Sequence, residues 1–271
     1  MPELPEIETL RRGLEPRLTG REVVAVTVRR ARLRRPLPGA VRRLAPAMIR
    51  GVGRRAKYLL LDLERGFLLF HLGMSGVLRL VPAGSAAGRH DHLDFGLDNG
   101  WLLRFCDPRR FGLIAWQPGR DPLRHPLLSG LGPEPLADDF DGETLWRLLH
   151  RRPGAIKPLL MNGALVAGVG NIYASEALHR AGIHPQRAAR RIARARYRRL
   201  AGGIRDVLAA AVAAGGTTLR DFYDADRRPG YFSRELQVYD RAGLPCPRCA
   251  AAIRRLVQAG RATYYCPACQ H

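Results

Sequence analysis

Leu4, Ile7, Leu10 and Leu14 recur at intervals of three and four residues, so they fall on one face of a helix over residues 2–14. Pro16 and Gly20 are expected to close it. The pattern then shortens to apolar runs of strand length: Val23–Val28, Tyr58–Leu63, Phe67–Leu72, Val77–Val81, Leu93–Leu97, Trp101–Phe105 and Gly112–Trp116. Turn residues separate them, as in Glu64-Arg65-Gly66 and Asp98-Asn99-Gly100. Short strands spaced this regularly predict a sandwich or a barrel. Beyond Gly132-Pro133-Glu134-Pro135 the period becomes helical, over Glu143–His150, Ile156–Met161, Ile172–Arg180 and about Arg196–Ala214. In the last of these, Leu200, Ile204, Val207, Leu208 and Ala211 form an apolar stripe. The pattern therefore predicts a β-rich N-terminal domain, a helical domain and a short cysteine-bounded unit at the end.

Composition adds a partner to this picture. The chain of 271 residues holds 45 Lys+Arg against 24 Asp+Glu, a net charge of +21, with an ordinary hydrophobic share of 46%. That length makes two domains the prior. Such a charge points to phosphate backbones or anionic surfaces, although solvated surface arginine is the plain alternative. No apolar run approaches the roughly 18 residues of a membrane span. The opening MPELPEIETL carries three glutamates where a secretory signal wants a basic start. A soluble, intracellular, cytoplasmic protein with no membrane partner is expected.

Four of the five cysteines stand in two tight pairs, Cys246-Pro-Arg-Cys249 and Cys266-Pro-Ala-Cys269, 16 residues apart. Four thiolates at this spacing can surround one tetrahedral Zn²⁺, and in a reducing compartment a metal outweighs disulfides. With all four positions taken by sulfur the site would be structural, folding a segment too small to bury its own core. Arg254, Arg255 and Arg261 would then sit on a rigid basic finger. The fifth cysteine, Cys106, reads as a buried strand residue. A non-enzymatic zinc-ribbon protein is the rival class at this point.

The N-terminus offers chemistry. Met1 before a proline is commonly removed, which would leave Pro2 with a free secondary amine. An α-amino group titrates near 7.7–8.0, so part of it is neutral at pH 7. Such an amine can attack a sugar carbon, and the iminium it forms is an electron sink. Glu3 and Glu6 are close enough for acid–base work. Helix capping by Pro and acidic residues at a positive dipole end is the competing reading.

MPELPEIETLRRGL resembles the opening of bacterial formamidopyrimidine-DNA glycosylases, the MutM family. The resemblance continues in order through Arg54–Tyr58 (RRAKY), His71–Gly76 (HLGMSG), Arg89–His92 (RHDH), Asp107–Gly112 (DPRRFG), Leu131–Leu136 (LGPEPL) and Gly168–Glu176 (GVGNIYASE). It ends with Gly215–Leu219 (GGTTL), Pro229–Phe232 (PGYF), Glu235–Tyr239 (ELQVY) and the four cysteines. It implies an α+β protein: a helix-capped β-sandwich over 1–132, a helical helix–two-turn–helix domain with a lid over 133–236, and a zinc β-hairpin finger over 237–271. Residues 216–232 look like that lid.

The resemblance also implies an activity: removal of oxidised purines, chiefly 8-oxoguanine and formamidopyrimidines, from double-stranded DNA, then strand cleavage by β,δ-elimination. Pro2 would be the Schiff-base nucleophile, Glu3 the general acid and Glu6 a supporting proton carrier. Lys57 would serve β-elimination and Arg261 δ-elimination. Met74, Arg109 and Phe111 would fill the gap left by an extruded base, since apolar wedges suit a stacked duplex. Lys57, His71, Asn171 and Arg261 would clamp the backbone, with His90, Arg152 and Lys157 as further DNA contacts. One structural zinc, no small-molecule cofactor and a monomer working at the bacterial nucleoid complete the expectation. An endonuclease VIII-type enzyme for oxidised pyrimidines is the rival within the enzyme class; GGTTL, PGYF and the Arg109–Phe111 pair favour the purine reading.

Overall fold

The computed structural model describes residues 2–217 and 232–271, apart from the side chain of residue 234. It divides into two compact units: Met1–Ser129 joined by the described residues 215–217, and Gly130–Ala214 with Phe232–His271. The centre of the expected lid, including Phe222-Tyr223-Asp224-Ala225, lies outside the described residues.

The first unit opens with α1, Leu4–Leu18. Its buried face is Leu4, Ile7, Leu10, Leu14 and Leu18, as the spacing predicts. The helix runs through Pro16 instead of stopping there. A proline in the last turn forfeits one ladder bond, and Leu18, fully buried, holds that turn against the sheet. Eight strands follow: β1 Glu22–Val28, β2 Ala47–Arg55, β3 Tyr58–Leu63, β4 Gly66–His71, β5 Val77–Pro82, β6 Asp91–Leu97, β7 Trp101–Cys106 and β8 Leu113–Pro118. All pairs given for them are antiparallel, in the order β5-β7-β6-β1-β2-β3-β4-β8. The two halves are joined through Glu22↔Met48 and Val23↔Ala47 between β1 and β2. They fold face to face: Phe70 of β4 packs on Phe95 of β6 and Phe105 of β7, with ring centroids 6.0 and 6.3 Å apart. This is the helix-capped β-sandwich expected.

The strand absent from the sequence pattern is β2. Ala47, Ile49 and Val52 are buried while Met48 and Arg50 are exposed. The alternation is thus present, but arginines and two glycines dilute it. Cys106 is half-exposed at the end of β7, not buried. Burial and the neighbouring Asp91 nevertheless push its thiol up to about 11.

The second unit contains α3 (Gly142–Leu149), α4 (Ile156–Leu160), α5 (Asn171–Ala181) and α6 (Arg194–Ala213), preceded at the end of the first unit by the single turn α2 (Pro126–Ser129). The predicted stripe of α6 is buried along its length. Gly182 ends α5 in the left-handed conformation (φ 70°), where a residue without Cβ is favoured. The last strands, β9 Arg254–Gln258 and β10 Arg261–Tyr265, form a hairpin turning at Ala259 and Gly260, both with positive φ. Among the described residues, no helix is long and apolar enough to cross a membrane.

Candidate nucleophile, anion clamp and metal centre

Pro2 lies just ahead of α1 and is buried. Glu3 is the N-cap and Glu6 the third helical residue, and they form a capping box, with the Glu3 N–H donating to Glu6 Oε2 at 2.7 Å. The other Glu6 oxygen accepts the Thr217 N–H at 2.8 Å. Both carboxyl groups are deeply buried, at 3% and 1% exposure. Capping and chemistry are therefore compatible: one carboxylate is fixed in place by the residue ahead of it and by the segment that follows α6. Further along α1, Glu8 accepts hydrogen bonds from Arg11, Arg12 and Arg54. Burial opposes its charge, yet these bonds bring it down to about 2. Arg54 also donates to the Ala56 carbonyl, which ties α1 to the turn carrying Lys57.

Ala56 takes a left-handed φ of 50° at that turn. Tyr58 follows, and its ring meets His71 edge-on at 5.0 Å. His71, at the end of β4, is driven down to about 4 by burial and by the cations Lys57 and Arg34. It is therefore neutral at pH 7, and its Nδ1 accepts the Gly73 N–H at 3.0 Å.

Met74, Arg109 and Phe111 are brought together by two loops at one end of the sandwich. Met74 and Phe111 are exposed to 41% and 44%, two large apolar side chains on loops that touch each other. The Arg109 guanidinium lies over the Phe111 ring at 4.8 Å. Fully buried Asp107 organises both loops. Its Oδ1 accepts from Ser75 Oγ at 2.7 Å and its Oδ2 from the Gly112 N–H at 2.7 Å, while Ser75 Oγ also accepts the Arg109 N–H. A Cβ on Gly73 would fall 2.4 Å from the Phe111 carbonyl carbon, so the loops touch backbone to backbone. His90 sits at the foot of the same assembly, its carbonyl accepting the Asp107 N–H at 3.0 Å. Neither Asp107 nor Ser75 stands out in the sequence, although both lie inside the quoted motifs.

In the second unit, Lys157 is a buried cation, at 1% exposure. Its Nζ donates to Asn171 Oδ1 at 2.5 Å and to Thr263 Oγ1 at 2.7 Å. Asn171 is the first residue of α5, and Gly170, not Asn171, is the N-cap. The Asn171 amide instead donates to the Ala262 carbonyl at 2.9 Å. These bonds join α4, α5 and β10, and a cavity of about 160 Å³ between Lys157, Gln258 and Arg261 opens beside them. Arg152 is exposed after α3, and its N–H closes that helix on the Leu149 carbonyl.

The four finger cysteines converge with all Sγ atoms within 4.8 Å of one another. Sulfurs at about 3.8 Å separation are what a tetrahedral zinc with 2.3 Å bonds requires; the Cys249–Cys266 and Cys246–Cys269 pairs stand at 3.4 and 4.0 Å. The donor set fits one structural zinc. His179 of α5, held neutral with its value near 4 by burial and Arg248, places Nε2 3.5 Å from Cys246 Sγ. Gln270 accepts the Cys266 N–H and donates to the Ile183 carbonyl, seating the finger on the end of α5.

Three family models cover this chain in sequence order. The formamidopyrimidine-DNA glycosylase N-terminal domain matches residues 1–114, the H2TH domain of the same proteins matches 131–223, and a zinc finger found in FPG and IleRS matches 243–271. Formamidopyrimidine-DNA glycosylases of Alkalilimnicola ehrlichii and Pseudomonas putida (strain GB-1) are 57% and 55% identical over the full length of both chains. The chain belongs to the formamidopyrimidine-DNA glycosylase family. Solved relatives agree with that assignment. MutM from Thermus thermophilus superposes with a TM-score of 0.87 at 44% identity, covering 99% of this chain and 98% of that one. Lactococcus lactis Fpg bound to an abasic-site DNA gives 0.92 at 33% identity over both whole chains. A mutant of the same L. lactis protein was solved in complex with a Fapy-dG containing DNA; it gives 0.92 at 35%, again over both chains.

Proposed function

We propose that the chain is a bifunctional DNA glycosylase and lyase that removes oxidised purines from duplex DNA through the amine of Pro2. The observation that carries this reading is the N-terminal one: Pro2 precedes two buried glutamates at a helix start, with the Glu3 backbone N–H bonded to the Glu6 carboxylate. The capping box engages both carboxyl groups, and the same burial keeps them next to Pro2, where an amine nucleophile needs acid–base partners. With Met1 removed, the Pro2 nitrogen attacks C1′ of the damaged nucleotide. The glycosidic bond breaks as the new C–N bond forms, and the base departs with a proton. Glu3 supplies protons to the sugar as its ring opens, with Glu6 supporting. The resulting iminium withdraws electrons, so a proton leaves C2′ and the 3′ phosphate departs; a second elimination releases the 5′ phosphate.

Other groups take supporting parts. Lys57, Arg261, Lys157 and Asn171 hold phosphates, and neutral His71, its Nδ1 taken by the Gly73 N–H, donates from Nε2. Met74 and Phe111 wedge the stack while Arg109 reads the orphaned base. Cys246, Cys249, Cys266 and Cys269 would hold the zinc, whose part is to fix the hairpin that presents Arg261. L. lactis Fpg structures with Fapy-dG and abasic-site DNA support a damaged-duplex substrate. The high positive charge supports a DNA partner, on which the chain would work as a monomer.

Borohydride reduces an iminium and leaves an ordinary complex untouched. On a duplex with 8-oxoguanine opposite cytosine it should fix a covalent adduct that peptide mapping places on Pro2. Glu3→Gln should bind yet fail to release base. An adduct on Lys57, or faster trapping on thymine glycol, would overturn the mechanism or the purine preference respectively.

A further inference from the structure

The segment leaving β1 carries five arginines, Arg29, Arg30, Arg32, Arg34 and Arg35, that the chemistry above does not use. It is a built element. The Leu37 N–H donates to the Ala31 carbonyl at 2.9 Å, the Leu33 N–H to the Arg35 carbonyl at 3.1 Å, and Arg32 bridges Pro36. Leu33 is buried in the sandwich core and pins the loop down. Both flanks are fastened: the Arg29 and Arg30 N–H groups donate to the His92 carbonyl, and the Arg34 N–H to the Gly112 carbonyl at 3.2 Å. The last bond joins this segment to the loop carrying Arg109.

Between the two lies an open groove of about 720 Å³, walled mainly by Arg29, Arg30, Arg32, Leu33, Arg109 and Arg110. Arg29 is paired with Asp94, 2.5 Å away, a carboxylate that Arg104 also holds. Among the described residues, no carboxylate reaches Arg30, Arg32, Arg109 or Arg110 within ion-pair distance. Arg110 is held at a left-handed φ of 56°, a conformation that costs energy for a residue with Cβ. Four unneutralised guanidiniums on fastened backbone repel one another until an anion enters. Guanidinium forks match phosphate oxygens in pairs. Five of the seven lining residues are arginines and the wall is more polar than apolar, which suits a phosphate backbone.

We propose that this groove binds the phosphates of the DNA strand opposite the damaged one. The assignment of the strand rests on the reading of Arg109 as the contact to the orphaned base: the strand bearing that base must pass along the wall Arg109 forms. Arg30 and Arg32 thus hold the undamaged strand while the groups around Pro2 act on the other.

A binding cycle tests this on the full-length protein. The duplex carries a tetrahydrofuran abasic analogue opposite cytosine, with single neutral methylphosphonates placed beside the orphaned base or, as a comparison, in the lesion strand. Arg30→Gln/Arg32→Gln alters two exposed side chains, and an unchanged thermal melt confirms folding. Neutralising the opposite strand should weaken wild-type binding about tenfold and the variant less than twofold. The variant's log–log salt slope should be shallower by about one to two. Equal losses in both proteins would overturn the site. A coupling that follows lesion-strand phosphates instead would overturn the choice of strand. Absence of base release by the wild type would defeat the glycosylase reading separately, because the cycle is read on binding alone.

Discussion

Ser75 Oγ donates to Asp107 Oδ1 at 2.7 Å, and through this bond the turn bearing Met74 is held to the loop bearing Arg109 and Phe111. The other Asp107 oxygen is taken by the Gly112 N–H, so the carboxylate is shared between both loops. Asp107→Asn keeps the volume but turns an NH₂ toward one donor. Preference for cytosine opposite the lesion should fall, with Pro2 trapping on a preformed abasic site nearly intact. Ser75→Ala should cost about 1.5–3 kcal/mol of stability, the range for a buried bond to a charged group. Denaturant unfolding and competition between cytosine and adenine partners check the two effects.

Arg109→Ala removes the guanidinium stacked on Phe111. Discrimination between opposite bases should fall by about 1–3 kcal/mol, the worth of a good base contact. Single-turnover rates on 8-oxoguanine opposite cytosine and adenine give the measurement; unchanged discrimination would make Arg109 a phosphate ligand only.

His71 should titrate near 4 in the free protein, observable by NMR of its ring protons. Between its ordinary value of 6.5 and about 4, the unfolded chain binds a proton that the folded chain does not. Its contribution therefore weakens the fold as pH drops through that window and is level above it. Phosphate bound beside the ring should raise the titration point, so duplex addition should move it upward.

The metal prediction concerns Cys249 and its neighbours. Cys249→Ser should lower zinc content from one per chain to well below that, and DNA affinity should fall with it. The reason is that Thr263 and Ala262 of β10 bond Lys157 and Asn171, so a loosened hairpin also loosens the buried ammonium. Metal analysis with parallel binding assays checks this; full affinity without zinc would contradict it.

Lys157→Met removes a buried cation bonded to Asn171 and Thr263. Affinity for the abasic-analogue duplex should fall at least tenfold and the salt slope should flatten by about one. Retained affinity would assign Lys157 to packing alone.

Period-based reading recovers what depends on repeated burial. The faces of α1 and α6 and seven of the strands follow from residues that each bury a side chain in turn. It loses β2, where Gly51 and Gly53 contribute no side chain and the arginines dilute the apolar alternation. The cysteine spacing is legible because metal geometry leaves few alternatives. By contrast, Pro2 and Lys57 gain roles only through family motifs, since a proline at a helix start and a lysine at a turn are ordinary. Asp107 and Ser75 lie within family motifs but gain no role from them, and Thr263 lies in none: their meaning lies in partners 5 to 106 residues away. The part Asn171 plays as a cross-link has the same origin, because its partners Lys157 and Ala262 are distant in the chain.

The missing Cβ at Gly73 has a practical corollary for anyone who would re-engineer lesion choice. With Phe111 backbone at 2.4 Å from where that carbon would be, neither loop has slack to accept a change in the other. Transplanting the Arg109–Phe111 loop from a relative with different tastes should fail unless the Met74 turn travels with it. The two segments, more than thirty residues apart in the chain, constitute one exchangeable cassette.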